Sequence, residues 1–419
     1  MSQALKTKLS DLPLSQIDLS RPELFADEEI LETFKRLREE DPVHYCADGQ
    51  FGPFWSITRY EDIIAVDTNH KVFSSSDAFG GIQLDDNVVR PPVEGVEISA
   101  FITKDQPHHG PIRKSVQPIA SPQGLDSFKD LIWERTNNVL DSLPEDEEFD
   151  WVERVSVNLT TQMLATLFDF PFEDREKLTY WSDITTATEG SDHFPGHEKR
   201  VEILLECLEY FTRLRHIRAN GPPKFDFISM MARDENTKDM DDMNFLGNLL
   251  LLIVGGNDTT RNSMSASINA WNKFPEEFAK LREDPSLIDK MVAEVIRWQT
   301  PLSHMRRTAL EDIELGGKLI KKGDKVVMWY YSGNHDEDVF DHPRQVRFDR
   351  ENGNRHVSFG FGIHRCMGLR VAELQLRTLW QLILEKFDSI ELVGEPRRLK
   401  SNFVNGYTEM KVKVKRRSS

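Results

Sequence analysis

A chain of 419 residues with 53 Lys and Arg against 70 Asp and Glu carries a formal charge of −17, which excludes general affinity for nucleic acid or an anionic membrane surface. Its three cysteines, Cys46, Cys207 and Cys366, are scattered and odd in number, so a cytoplasmic location without a disulfide framework is expected. No linker, repeat or low-complexity tract divides it, so one domain is expected over 1–419, with 1–26 as an N-terminal arm.

The opening MSQALKTKLSDLPLSQ has no apolar core of signal-peptide length. Helical spacing runs from Asp27 to Glu40, with Ile30, Leu31, Phe34 and Leu37 on one face. Val43 to Cys46 and Phe54 to Thr58 read as a hairpin across a Gly-containing turn. Phe73 to Phe101 loses periodicity, and a loop of that length in a compact domain is usually functional or disordered. On a helix starting near Pro107, His109 and Arg113 share one face at i and i+4, an arrangement that by itself describes a solvated polar pair. Leu125 to Arg218 is mainly helical, with Val155, Leu159, Met163, Leu164 and Leu167 as core, broken from Thr188 to Gly196. His193 and His197 have metal-like spacing but fall at that break.

Asp242 to Phe274, ended by Pro275, predicts a helix of roughly 50 Å that crosses the domain. Its apolar run Phe245 to Val254 is too short to span a bilayer, so no membrane anchor is expected. Gly255-Gly256-Asn257-Asp258-Thr259-Thr260 interrupts the pattern, although each interior Gly costs about 1 kcal/mol relative to Ala. Thr259 can bond back to the Gly255 carbonyl, and the absent side chains at 255 and 256 leave a groove for a small ligand. A kinked core helix is the plain alternative, but it explains poorly why an acid and an alcohol stand together there. Glu294 and Arg297, i to i+3 on a helix from Leu287 to Gln299, by spacing alone describe a surface ion pair worth a few tenths of a kcal/mol. Leu302 to Met305 precede Arg307, and Lys325 to Tyr330 is strand-like.

Near the end, Ser358-Phe359-Gly360-Phe361-Gly362-Ile363-His364-Arg365-Cys366-Met367-Gly368 presents one cysteine in a glycine-punctuated loop. The helix that follows, Gly368 to Phe387, points its first amides toward the sulfur and favours a thiolate. A Cys/His nucleophile or half a zinc site is conceivable, but no second cysteine lies near enough for a zinc cluster. A haem thiolate needs only one sulfur and fits better.

Phe359, Gly360, Gly362, His364, Cys366, Gly368 and Ala372 resemble the haem-binding loop of the cytochrome P-450 monooxygenases, and further motifs of that family lie upstream in order. The resemblance implies a mainly α fold with a small β region, haem b on Cys366, and the haem held between the long distal helix and the helix after the cysteine loop. It implies propionate contacts from His109, Arg113 and Arg307. It makes Gly255, Gly256, Asp258 and Thr259 the oxygen-activation motif, in which the alcohol steadies dioxygen and the acid relays protons. Glu294, Arg297 and Arg350 become a buried structural network. Segments 73–101 and 188–220 become substrate-access loops, with Phe101 and Ile102 near the haem.

The runs GGNDTTRNSMSASINAWNKFP, EVIRWQTPLSHMRRTA, GDKVVMWYYSGN and SFGFGIHRCMG look like the bacterial hydroxylases that attack the terminal carbon of medium-length alkanes. That likeness implies a pocket of Phe101, Ile102, Leu250, Leu251, Val254, Leu302, Met305, Phe403 and Val404, with few anchors for a polar substrate. Hydroxylation of monoterpenes or fatty acids is the alternative. A gas-sensing haem protein is the non-enzymatic one, and Asp258-Thr259 argues against it. No flavin- or nicotinamide-binding segment is recognised, so electrons are expected from a separate ferredoxin and ferredoxin reductase fed by NADH or NADPH.

Overall fold

The computed structural model describes residues 8–26, 28–86, 99–187, 189, 191 and 193–417. In chain order it contains α1 (Ile30–Glu40), β1 (Val43–Cys46), β2 (Phe54–Ile57), α2 (Tyr60–Thr68), β3 (Phe73–Ser74) and α3 (His109–Val116). Then follow α4 (Pro122–Asp126), α5 (Lys129–Asp141), β4 (Phe149–Asp150), α6 (Asn158–Leu167), α7 (Glu176–Thr186), α8 (His197–Asn220) and α9 (Phe227–Arg233). The long α10 (Asp242–Lys273) leads to α11 (Pro275–Glu283), α12 (Ile288–Gln299), β5 (Met305–Ala309), β6 (Ile313–Leu315), β7 (Lys318–Ile320), β8 (Lys325–Met328) and α13 (Tyr330–Gly333). Last come α14 (Leu369–Lys386), β9 (Phe387–Leu392), β10 (Arg397–Arg398), β11 (Tyr407–Glu409) and β12 (Lys411–Arg416). The fold is mainly α with small sheets, as expected.

Helix α10 organises the packing. Asp241 caps it by accepting from the Asn244 N–H at 2.9 Å, and Pro275 stops it by opening α11. Nearly every residue from Phe245 to Ala270 outside the Gly255 region is buried, because neighbours pack on several sides. Its N-terminal half shares a core with α6, α7 and α8 through Leu249, Ile253, Leu164 and Trp181. Its C-terminal half shares another with α12 and α14 through Ile268, Val295 and Trp380. Burying an aliphatic or aromatic side chain of this kind contributes about 1.5–3 kcal/mol.

The expected hairpin forms, with Val43 opposite Ile57 and Cys46 opposite Phe54. It joins a five-stranded sheet in the order β1-β2-β8-β5-β3, in which only β2 and β8 run parallel. Strand β5 therefore sits inside the sheet, which fixes Met305 and Arg307 on a rigid element.

Three sequence expectations shift. The helix near Pro107 begins at His109. Most of 188–220 is not a loop but the 24-residue α8, whose Val201, Leu204, Cys207, Phe211 and Leu214 bury an apolar stripe. Within 73–101, β3 pairs with β5, while 87–98, like 188, 190 and 192, lies outside the described residues. All three cysteines are free, and among the described residues no helix is long and apolar enough to cross a membrane.

Candidate active site

The cysteine loop is shaped by two glycines. Gly360 and Gly362 have φ of +63° and +65°, and a Cβ at 362 would stand 2.6 Å from the Asp67 carbonyl oxygen. Gly368, by contrast, has an ordinary negative φ of −85°. Between them the Cys366 N–H donates to the Phe359 carbonyl at 2.7 Å, closing the loop on itself. Burial pushes the Cys366 thiol up, while the amides of Gly368 and Leu369 and the charges of Arg113 and Arg365 pull it down. The helix amides thus favour the thiolate as expected, but burial outweighs them in the protein alone.

A buried network supports this loop from below. Glu294 accepts from Arg297 Nε and Nη2 at 2.8 Å and from Arg350 Nε at 3.0 Å. Arg297 donates to the carbonyl of Asn334 at 2.8 Å. Asn334 in turn bonds Ser358 Oγ and accepts from the Val357 N–H, at 2.8 and 2.7 Å. Asn334 was not among the expected residues, and nothing in its sequence surroundings marks it.

One cavity brings the expected residues together. Its lining includes Phe101, Ile102, Arg113, Leu250, Leu251, Val254, Gly255, Gly256, Asp258, Thr259, Leu302, Met305, Arg307, Phe359, His364, Cys366, Gly368, Phe403 and Val404. His109 stands just behind it, fully buried, with its ring nitrogens 2.9 and 3.0 Å from the carbonyl oxygens of Phe101 and Ile363. Burial lowers its pKa and the two carbonyls raise it. Leu302 bridges to Val404 across the cavity edge, where they pack with Phe403, Leu399 and Met305. Glu294, Arg297 and Arg350 are not part of its lining.

The distal side differs from a kinked helix. Helix α10 runs unbroken through 255–260, and Thr259 Oγ1 donates to the Gly255 carbonyl at 3.0 Å. A Cβ at Gly255 would meet nothing within 4 Å, whereas one at Gly256 would stand 2.9 Å from Leu164 Cδ2. The open groove therefore belongs to Gly255, and Gly256 permits close approach of α6. Gly247 serves a similar end, since a Cβ there would clash with the Ser99 backbone; next to it, Asn248 Oδ1 accepts from the Phe101 N–H at 2.7 Å.

Asp258 is wholly buried and faces α7. Its carboxylate accepts from Arg261 at 3.0 Å, Asn257 at 3.0 Å, Ser182 at 3.3 Å and Thr186 at 3.2 Å. Burial pushes its pKa up to about 6, against the opposing pull of Arg261. Arg261 also reaches Asp183 at 2.9 Å.

Charge is concentrated on the opposite wall. Arg307 Nη2 donates to Asp67 at 2.7 Å, and Asp67 also accepts from Tyr330 and from the Phe361 N–H at 3.0 and 2.7 Å. Asp67 was missed, although its place on α2 one turn after Ile63 and beside Val66 marks an inward-facing acid. Arg113 donates to the Arg365 carbonyl and, among the described residues, pairs with no carboxylate. His364 Nε2 lies 2.8 Å from Ser75 Oγ, and its Nδ1 is buried without a hydrogen-bond partner among the described residues.

These features fit a haem. No group of three or more His, Cys, Asp or Glu among the described residues could hold a bare metal ion, so a metal on Cys366 must bring its remaining ligands. A planar macrocycle with carboxylates does so, and unpaired Arg113 and His364 Nδ1 suit such carboxylates.

Comparison with known proteins agrees. The Cytochrome P450 family model matches residues 43–414. Linalool 8-monooxygenase of Pseudomonas putida is 35% identical over 94% of this chain and 98% of its own length. A steroid C26-monooxygenase of Rhodococcus jostii (strain RHA1) is 31% identical over 95% and 84%. Among solved structures, CYP153D17 from Sphingomonas sp. PAMC 26605 superposes with a TM-score of 0.90 at 45% identity, covering 96% of this chain and 100% of that one. Cytochrome P450-153 from Novosphingobium aromaticivorans gives 0.87 at 41%, covering 95% and 99%. With the cysteine loop, the acid–alcohol helix and the match spanning nearly the whole chain, this protein belongs to the cytochrome P450 family and is one of its monooxygenases.

Proposed function

We propose that the protein inserts one atom of dioxygen into an unactivated C–H bond of an apolar chain, chiefly the terminal methyl of a medium-length n-alkane. The observation that carries this reading is the lining of the cavity over Cys366, where Leu250, Leu251, Val254, Leu302, Met305, Phe403 and Val404 leave an apolar wall. The likeness of the motif runs to bacterial alkane hydroxylases supports it. The names of linalool 8-monooxygenase and steroid C26-monooxygenase add that similar chains act at one numbered carbon of largely hydrocarbon molecules.

The cofactor would be haem b, with its iron held by Cys366 and its carboxylates met by Arg113 and His364; Arg307, now tied to Asp67, and His109, whose ring nitrogens lie at the Phe101 and Ile363 carbonyls, would complete that wall. When bound, it supplies the site where dioxygen is reduced by two electrons and split, giving alcohol and water from substrate, dioxygen and two protons. The chain's own part is to hold and move those protons. Asp258, with a pKa raised to about 6, can carry one, and Thr259, on the open face left by Gly255, positions a donor next to the substrate. Cys366 and its closed loop fix the cofactor, while the apolar wall excludes water and orients the chain.

Terminal attack needs explanation, because a methyl C–H is stronger than its methylene neighbour. Each tenfold preference requires about 1.4 kcal/mol of differential barrier. End-on approach past a constriction of Val254, Leu302 and Met305 would supply it. Electrons would come from a separate ferredoxin and its reductase. Titration of the holoprotein with n-alkanes, fatty acids and monoterpenes, followed at the Soret band, tests the reading. Octane-length alkanes should bind most tightly; tighter binding of monoterpenes or fatty acids would replace it.

A further inference from the structure

One lining residue departs from the rest of the cavity. Most polar side chains that face it have partners on their own walls: Thr186 bonds Asp258, Ser263 bonds the Thr259 carbonyl, Thr185 the Trp181 carbonyl and Ser358 the Ile296 carbonyl. Among the described residues, two lining side chains keep a buried polar atom without a hydrogen-bond partner, His364 Nδ1 and Gln83 Oε1. His364 belongs with the charged wall beside the cysteine loop. Gln83 does not.

Gln83 is only 7% exposed and lies between Ile82, also in the lining, and the buried Leu84. Its backbone is fixed to β5, where the Arg306 N–H donates to the Ile82 carbonyl at 2.8 Å and Arg306 Nη1 to the Gln83 carbonyl at 3.3 Å. The position is thus held, and the amide is placed rather than swinging in solvent. An amide oxygen left unpaired in an apolar wall is costly, and a Leu or Met of similar size would avoid that cost.

Resting on the apolar-chain reading above, we infer that Gln83 is a specificity-determining residue whose amide hydrogen-bonds a neutral oxygen function, a hydroxyl or carbonyl, on an otherwise apolar substrate. An amide offers both a donor and an acceptor, so it suits an alcohol or a ketone. It cannot neutralise a carboxylate, and Arg306 and Lys325, the cations bonded to this segment, are already paired with Asp86. Neutral oxygenated chains are therefore favoured over fatty-acid anions. An oxygen anchored on this segment is held by a wall other than α10 and the cysteine loop, which leaves the hydrocarbon end free to approach the reacting position.

Octane and 1-octanol titrated into holoenzyme, followed at the Soret band, test this in the unmodified protein and in Gln83→Met. The unmodified protein should bind 1-octanol roughly five- to tenfold more tightly than octane, the worth of one buried hydrogen bond. Gln83→Met should erase that preference and leave octane affinity within about twofold. Turnover of 1-octanol should give the α,ω-diol. Octane binding with no preference for the alcohol overturns the Gln83 inference and leaves the apolar-chain reading standing. So does equal weakening of both ligands in Gln83→Met, or a red-shifted band with 1-octanol, which would place the hydroxyl on the iron. Binding of neither ligand removes the apolar-chain reading and this inference with it.

Discussion

Asp258 and Thr259 are neighbours in sequence but turn to different partners. The threonine hydroxyl bonds back to Gly255 on the cavity side, while the carboxylate is held by Ser182 and Thr186 of α7 and by Arg261. Their roles separate accordingly. Thr259→Ala should leave substrate affinity nearly intact and send most reducing equivalents to peroxide, read as product formed per nicotinamide consumed. Unchanged coupling would remove Thr259 from the mechanism. Asp258 has a pKa raised to about 6, so it is protonated below that value and ionised above it. If it delivers protons, the rate of product formation should fall as pH climbs through about 6. In Asp258→Asn the rate should be at least tenfold lower and flat across that window. The acid–alcohol pair itself was readable from sequence, because two functional residue types sit where local propensity resists them. The residues that tune it were not: Ser182, Thr186 and Asp183 come from a helix about seventy residues away.

At the level of elements, α10 and the cysteine loop matched expectation because each carries its own punctuation, Asp241 and Pro275 for the helix and Gly360 and Gly362 for the loop. The spacing of Leu125 to Arg218 is helical outside the break at 188–196, and it is the family resemblance that extends the access loop to 220, over what is helix α8. Burial of its apolar stripe against α7 and α10 holds that helix in place. The adjacent glycines Gly255 and Gly256 look like one device in sequence, whereas the structure gives them separate tasks. Gly255→Ala should therefore raise thermal stability by about 1 kcal/mol, since an interior helix gains a better former in open space. It should also change octane affinity by intruding on the cavity. Gly256→Ala should show no such gain, because Leu164 must move, and differential scanning calorimetry on the two variants compares them. A Gly255→Ala protein less stable than the unmodified one would contradict this division.

Across the whole molecule, a net charge of −17 contrasts with the face around the cysteine loop, where Lys114, Arg365 and Arg370 are exposed. Such a patch would steer an acidic ferredoxin without holding it tightly. Charge reversal at Arg365 should slow electron transfer several-fold at low salt, with the difference shrinking as salt rises and substrate affinity unchanged. A rate indifferent to both substitution and salt would remove the patch from partner docking. The proposed function joins a haem-thiolate site to an apolar cavity that would present a chain end-on. Gas chromatography of octane turnovers, with ferredoxin and reductase supplied as separate proteins, tests that union most directly. The account predicts 1-octanol as the main product, whereas mainly 2-octanol, or no octane turnover beside rapid oxidation of a monoterpene, would contradict it.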